Sequence, residues 1–256
     1  MDMKGLTAVI TGGASGLGRA SVEKLVAMGA NVVIADLPGS EGDQLARRLG
    51  SSVRFVPADV RSEEEMSAVF VAAAAFGSPL RVVVHCAGRG GPLRILDKEG
   101  NPGSYQHFKD IIDINLVGTF NVLRLGAAAM APQEVSAEGD RGVIILTASV
   151  AAYEGQIGQI PYASSKAGVV GMTIVAARDL ASRAIRVCTI APGTFDTPIL
   201  ARLPPAVRES LAAAVPHPRR LGQPDEFAKL VAHIIDNSML NGETIRLDGA
   251  IRMAPR

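Results

Sequence analysis

Cysteine is nearly absent. The 256 residues hold two, Cys86 and Cys188, each embedded in an apolar run; no disulfide framework is expected, and both read as buried free thiols in a reducing compartment. A charge excess is missing as well: 26 Lys and Arg face 25 Asp and Glu, for a formal net charge of +1. That balance argues against a nucleic-acid-binding surface spread over the molecule. Histidine is scarce, and none of His85, His107, His217 and His233 stands in a metal-ligand spacing, so no metal site is expected. No uninterrupted apolar stretch is long enough to cross a bilayer, and the first strand-like run begins at residue 7, which leaves no room for a signal or transit segment. A cytoplasmic protein without membrane contact is expected.

What is present is a regular alternation. Apolar strand-like runs at 7–10, 31–35, 53–57, 81–84, 143–146, 186–190 and 244–247 are interleaved with helical patterns at 20–28, 63–75, 105–130, 162–180 and 225–235. Strands alternating with helices predict a parallel sheet covered on both faces, a Rossmann-like doubly wound α/β architecture of about seven strands. No second domain or internal repeat is visible, so residues 1–256 read as a single domain. Two stretches break the pattern: 89–104 is rich in Gly, Pro and charge, and 194–224 is rich in Pro between apolar patches. Both follow strands at the end where open parallel sheets bind ligands, and they are read as walls of a substrate pocket, 194–224 as its lid. Ordinary surface loops remain the competing reading, more so for the first stretch.

The run at 7–10 leads into Thr11-Gly12-Gly13-Ala14-Ser15-Gly16-Leu17-Gly18 and then a helical pattern. Glycines are needed where the chain turns sharply and lets a pyrophosphate approach bare amides, while the helix start offers unpaired N–H donors. Gly12, Ser15, Gly16, Leu17 and Gly18 are thus candidate cofactor residues. Glycines can also merely end a strand, but here the second apolar run ends at Asp36, eighteen residues beyond Gly18, where a dinucleotide-binding unit holds the adenosine ribose. A carboxylate there repels a 2′-phosphate, and neither Ser15 nor Leu37 supplies a cation, so NAD is expected over NADP. Arg19 reads as a solvated first-turn residue.

Tyr162 and Lys166 are four residues apart, with Ser149 thirteen residues upstream of the tyrosine. On a helix the pair shares one face, so the ammonium can favour the phenolate and bring a poor base toward neutral working pH. Ser149 can donate a hydrogen bond to the oxygen on which that base acts. The three together read as alcohol/ketone redox chemistry. A Tyr-x-x-x-Lys spacing alone is weak, since any solvated helix face can carry it.

In order and spacing, the Thr11-Gly12-x-x-x-Gly16-x-Gly18 turn, Asp59-Val60, Cys86-Ala87-Gly88, Asn115, Ser149, Tyr162-x-x-x-Lys166 and Pro192-Gly193 resemble the short-chain dehydrogenases/reductases over nearly the whole chain. The resemblance implies an NAD-dependent oxidoreductase with Tyr162 as general acid/base. It further implies that Lys166 binds the nicotinamide ribose and lowers the tyrosine pKa, that Ser149 orients the substrate oxygen, and that Asn115 supports a water through which protons reach Lys166. Asp59 and Val60 would contact the adenine and Cys86, Ala87 and Gly88 would line the cofactor. Pro192, Gly193, Phe195 and Thr197 would hold its nicotinamide end, and Gln156 and Gln159 would contact substrate. Most members carry Asn where this chain has Cys86, a change expected to matter little because backbone makes the contact there.

A branch of that family that oxidises short-chain (3S)-3-hydroxyacyl-CoA esters and some steroids with NAD resembles the chain further at 147–156, 190–195 and 240–253. Conversion of (3S)-3-hydroxyacyl-CoA to 3-oxoacyl-CoA is therefore the expected reaction. The stretch 89–104 looks shorter than in that branch, which bears on substrate choice. Arg89, Arg94, Lys98, Arg202, Arg219 and Arg220 are candidate partners for CoA phosphates, though each taken singly reads more simply as solvated charge. A dehydrogenase of hydroxysteroids or simple secondary alcohols is the alternative enzyme, and a cofactor-binding scaffold for a partner protein the alternative of another class. The resemblance also implies a homotetramer.

Overall fold

Residues 1–201 and 203–255 are described by a computed structural model. The first run forms β1 (Thr7–Thr11), buried at every position, and passes through the glycine turn into α1 (Gly16–Ala27). Then follow β2 (Asn31–Asp36), α2 (Gly42–Leu49), β3 (Val53–Pro57), α3 (Glu63–Ala74) and β4 (Leu80–His85). The second half contains α4 (Tyr105–Ile112), a π turn (Asp113–Val117), α5 (Gly118–Met130), β5 (Gly142–Thr147), a 3-10 turn (Val150–Ala152) and α6 (Ile160–Leu180). A second 3-10 turn (Ala181–Arg183), β6 (Ile185–Pro192), α7 (Pro198–Ala201), α8 (Pro205–Ala213), α9 (Pro224–Asp236) and β7 (Thr244–Leu247) complete the series.

All seven strands form one sheet in the order β3-β2-β1-β4-β5-β6-β7, and every pairing is parallel. The inner strands are buried on both faces, which is why they read as continuous Val/Ile runs, while the edge strands β3 and β7 are mostly half-buried. Successive side chains still alternate between faces. Val9, Val33, Val83, Ile144 and Val187 pack on one side with Met66, Val69, Val122 and Val169 from α3, α5 and α6. Ile10, Ile34, Val84, Ile145 and Cys188 pack on the other with Val22, Leu25, Phe227 and Val231 from α1 and α9. Each such side chain contributes about 1.5–3 kcal/mol on burial. The order reverses between β1 and β4, so a crevice opens at the carboxyl ends of those strands, where such sheets take their ligands.

Local signals set several helix starts. Ser62 caps α3 by accepting the Glu65 N–H, while the Glu65 carboxylate accepts the Asp59 N–H at 2.6 Å, an arrangement worth about 1 kcal/mol. Pro161 stands in the first turn of α6, where its missing N–H costs nothing.

Some expectations need correction. Residues 42–49 form a helix that the hydrophobic pattern does not announce, because only Leu45 and Ala46 supply it with buried side chains beyond Gly42. The stretch 194–224 is not simple loop, since it contains α7 and α8. The helix expected at 105–130 runs the full span, but with the π turn in its middle. An 18-residue window within these 26 residues has a mean hydropathy of 1.3, enough by length and composition to span a bilayer, although Asp110, Asp113 and Arg124 interrupt the apolar run. In the fold it contributes Val122, Leu123 and Met130 to the core. Cys188 is buried as expected, whereas Cys86 is only half-buried.

Candidate active site

The glycine turn is built so that no side chain fits. A Cβ on Gly18 would stand 2.1 Å from the Gly12 carbonyl oxygen, and one on Gly12, at φ +63°, would stand 2.7 Å from the Ala87 nitrogen. The turn from β1 therefore lies directly on the Cys86-Ala87-Gly88 segment leaving β4. Ser15 occupies the N-cap position of α1 in extended conformation, and its side chain makes no capping bond. The first-turn amides are left for another acceptor, which suits a pyrophosphate. At the end of β2 the two oxygens of Asp36 accept the Ala14 and Leu37 N–H groups at 2.9 and 2.8 Å. Each oxygen keeps acceptor capacity for a ribose hydroxyl. Arg19 is engaged with Glu23 at 3.2 Å and Glu41 at 3.7 Å. Past β3, Val60 is buried, while Asp59 is paired with Arg61, whose hydrogen bonds hold its carboxyl below the usual range. Leu17 is half-buried on the first turn of α1.

The other half of the site comes from β5 and α6. Beyond Thr147 the chain stays extended at Ser149, whose Oγ accepts the Ala151 N–H at 3.1 Å and so keeps its proton for a different acceptor. Helix α6 carries Tyr162 and Lys166 on one face, with the ammonium 5.8 Å from the centre of the phenol ring. Lys166 Nζ donates to the Thr147 carbonyl at 2.7 Å, a contact that ties α6 to the end of β5. The lysine is 4% exposed, and burial lowers its pKa to about 8. Burial pushes the Tyr162 phenol upward, with the Ser149 hydroxyl beside it working the other way. Desolvation is the larger of the two influences and favours the protonated phenol.

Asn115 sits in the π turn, a feature that recurs at functional sites. Its side chain clamps the start of the 89–104 stretch: Oδ1 accepts the Arg89 N–H at 2.8 Å, and Nδ2 donates to the Arg89 carbonyl at 2.9 Å. Nδ2 also reaches Ser165 Oγ at 3.1 Å, and Ser165 donates to the Tyr162 carbonyl at 2.7 Å. A Cβ placed on Gly88 would meet Asn115 Oδ1 at 3.2 Å and Lys166 Nζ at 3.4 Å. Cofactor-side and catalytic-side candidates therefore share one floor.

Over this floor stands the segment after β6. A Cβ on Gly16 would lie 3.5 Å from Thr197 Cγ2, so Thr197 faces the glycine turn. Pro192 ends the strand and Gly193 packs on Asp248, while Phe195 is buried against Gly222. Thr194 Oγ1 is buried without a hydrogen-bond partner among the described residues, a donor left for a group entering there.

The substrate-side candidates form a separate wall. A cleft of about 480 Å³ is lined by Leu93, Ile95, Leu96, Ile157 and Ile160, with Arg94, Gln156 and Gln159 among its polar groups. The two glutamines are occupied with each other, and Gln156 also donates to the Ala254 carbonyl at 3.1 Å. Of the candidate phosphate partners, Arg94 lines the cleft, whereas Arg220 is held by Glu226 through two 2.8 Å contacts. Arg89, Lys98 and Arg219 are exposed. Arg202 lies outside the described residues. Helix α8 buries none of its residues and is tied to the segment after β6 by the Arg208–Asp196 ion pair at 2.9 Å.

Several residues of the site carry no local signal in the sequence. Thr147 offers a carbonyl rather than a side chain, so residue type gives no signal. Arg246 binds Glu154 through contacts of 2.8 and 3.0 Å and Asp248 at 2.8 Å, fastening the wall after β5 to the carboxyl-terminal segment. Thr11, His85 and Thr119 form a buried hydrogen-bonded row beneath the floor.

The family model described as short chain dehydrogenase matches residues 6–207. The 3-hydroxyacyl-CoA dehydrogenase type-2 of Homo sapiens is 53% identical over 99% of this chain and 98% of its own length. That of Drosophila melanogaster is 51% identical over 99% of this chain and 100% of its own. The crystal structure of 3-hydroxyacyl-CoA dehydrogenase type-2 from Mycobacterium avium aligns with a TM-score of 0.96 at 48% identity, covering 98% of each chain.

Proposed function

Because this chain belongs to the short-chain dehydrogenase family, a family of oxidoreductases, we propose that it is an NAD-dependent dehydrogenase converting (3S)-3-hydroxyacyl-CoA thioesters to their 3-oxoacyl forms and back. The observation that carries the reading is the shared floor: Gly88 lies against Asn115 and Lys166 while the glycine turn lies against Ala87. A nucleotide held by the first-turn amides of α1 would therefore reach toward Tyr162 and Ser149. NAD is favoured over NADP by the Asp36 carboxylate and by the engagement of Arg19 with Glu23 and Glu41. The 3-hydroxyacyl-CoA assignment draws on the printed names of the relatives that match over the full chain. The mixed cleft, apolar with Arg94 at its side, suits a thioester carrying both an acyl chain and phosphates.

When bound, NAD supplies the acceptor for the carbinol hydride. The residues of the chain manage the proton. Ser149, with its proton uncommitted, donates to the alcohol oxygen and fixes its direction. Tyr162, as the phenolate, takes the hydroxyl proton at its phenol oxygen and becomes neutral, and the buried Lys166 ammonium stabilises the phenolate before that transfer. In reduction the same groups return the proton to the carbonyl oxygen. Tyr162→Phe tests the reading directly: with a 3-hydroxyacyl-CoA and NAD, formation of NADH should fall by more than about 100-fold. Ordinary turnover in that variant would refute the mechanism.

The same apolar cleft favours a second reading, oxidation of hydroxysteroids or simple secondary alcohols. One panel of acyl-CoA, steroid and alcohol substrates, with a phosphate-free pantetheine thioester included, separates the two. The proposal includes a cytosolic homotetramer, checked by solution mass and cell fractionation.

A further inference from the structure

We propose that His85, carrying its proton on Nε2, is a positioning residue that fixes the Asn115 carbonyl, and through it the π turn, against the catalytic helix. The inference rests on the dehydrogenase reading for its kinetic consequence, though not for its chemistry.

His85 ends β4 with no exposure and is flanked by two threonines that are also fully buried. Nδ1 lies 2.7 Å from Thr11 Oγ1, and Nε2 lies 2.9 Å from Thr119 Oγ1. Counting protons settles the direction of each bond. Thr119 Oγ1 is 2.5 Å from the Asn115 carbonyl oxygen, which can only accept, so the single hydroxyl proton is spent there. Thr119 must then accept from His85, which puts the imidazole proton on Nε2. Nδ1 becomes an acceptor, and Thr11 donates to it. Thr11 Oγ1 keeps a lone pair for the Ala87 N–H at 3.4 Å. The other tautomer leaves Nε2 facing a hydroxyl whose proton is already committed, and leaves the Thr11 proton without a partner. One ordered row of hydrogen bonds therefore runs from the Ala87 amide, beside the glycine turn, through His85 to the carbonyl of Asn115.

That carbonyl belongs to the π turn, whose widened register decides where the Asn115 side chain falls. From there the side chain clamps Arg89 and touches Ser165, which holds the Tyr162 carbonyl. Desolvation, together with the Lys166 charge, lowers the His85 pKa to about 3, so the ring stays in its single-proton form across the working pH. The row acts through other groups and touches neither substrate nor reacting atoms.

Two measurements on the full chain saturated with NAD test the proposal. In 15N-labelled protein the His85 ring should show a bare Nδ1 and a protonated Nε2 at every pH from 5 to 8. A proton on Nδ1, or a titration with a midpoint near that of free imidazole, overturns it. The second measurement compares Thr119→Val, which removes the hydroxyl at constant shape, with Thr119→Ser, which keeps it. The valine variant should lose roughly 10- to 100-fold in kcat, the scale of an ångström misplacement of reacting groups, with KM for NAD changed much less, and the serine variant should recover most of the loss. Wild-type kcat in Thr119→Val, or equal losses in both variants, also overturns it. If Thr119→Val fails to fold, the serine variant and the ring spectrum still decide. Tyr162→Phe serves as the control: should it and Thr119→Val both turn over normally, the dehydrogenase reading fails, whereas an inactive Tyr162→Phe beside a fully active Thr119→Val removes the His85 proposal alone.

Discussion

Lys166→Met should make the cofactor-free protein no less stable at neutral pH while abolishing its turnover. The lysine is 4% exposed, and burial brings its pKa from 10.5 to about 8. Keeping the ammonium in the folded state thus costs about 3 kcal/mol at neutral pH, taking ~1.4 kcal/mol for each unit of pKa. Methionine has nearly the same length and carries no charge, so that cost disappears. The Thr147 carbonyl then loses the donor it has at 2.7 Å, a loss worth about 1–3 kcal/mol. The net expectation is a gain of about 0–2 kcal/mol at pH 7.

The pH dependence makes the test sharp. Below about pH 8 the folded and unfolded lysine both hold the proton, and the whole burial cost applies. Between about 8 and 10.5 the unfolded chain still binds a proton that the folded protein has released, so wild-type stability rises with pH across this window. The methionine variant has no such rise. Its advantage over wild type should shrink by about 2 kcal/mol between pH 7 and about 9.5, read by urea unfolding of the two proteins side by side. Cys86, raised from 9.0 to about 12 by burial, ionises in that window only in the unfolded chain, and it does so in both proteins, so its contribution cancels in their difference. A difference that stays constant, or grows, with rising pH refutes the argument that the ammonium is held against its own desolvation.

Ser149→Ala removes an oriented donor to the reacting oxygen and should lower kcat by about 100- to 1000-fold with little change in the KM for NAD, measured by NADH absorbance. Asp36→Ala should raise the KM for NAD and improve relative use of NADP, read as the ratio of kcat/KM for the two cofactors; an unchanged ratio would remove Asp36 from the ribose site. Gly18→Ala places a methyl 2.1 Å from the Gly12 carbonyl oxygen, so the turn must open. Loss of NAD binding in a calorimetric titration is expected, and retained affinity would show that the turn is looser than its packing indicates.

The inner strands were legible because a parallel sheet buried on both faces needs apolar residues at nearly every position, and runs such as 81–84 and 143–146 have no other use for them; the half-buried edge strands at 53–57 and 244–247 were marked instead by their place in the alternation. The catalytic and glycine-turn candidates were legible because their chemistry resides in side-chain type and short spacing. What escaped was of two kinds. Backbone groups leave no trace in residue identity, so the Thr147 carbonyl that holds Lys166 was invisible, as was the π turn at 113–117, whose composition suits an ordinary helix equally well. Long-range partners were the other kind. His85 meets residues 74 and 34 positions away, and Arg246 meets Glu154 across 92; no local pattern announces such pairs before the sheet has brought them together.

The electrostatics of the floor connect these missed residues to the chemistry. Burial drives each titratable neighbour of Lys166 toward neutrality: the His85 ring to about 3, the Cys86 thiol to about 12, and the Tyr162 phenol upward. At neutral pH Lys166 is therefore the charge that His85 and Cys86 feel, in surroundings that screen it poorly. A positive charge entering the cleft acts on the two working groups in opposite senses of charge but the same sense of proton. It draws the phenol pKa down, and it pushes the ammonium, already lowered to about 8, closer to release. Both groups are thus inclined to give up protons once a cation stands over them, and to hold them again when it leaves. An arginine in place of Lys166 would keep its charge throughout, because a guanidinium does not deprotonate in proteins. The poised ammonium, rather than positive charge as such, is what the burial of this floor provides.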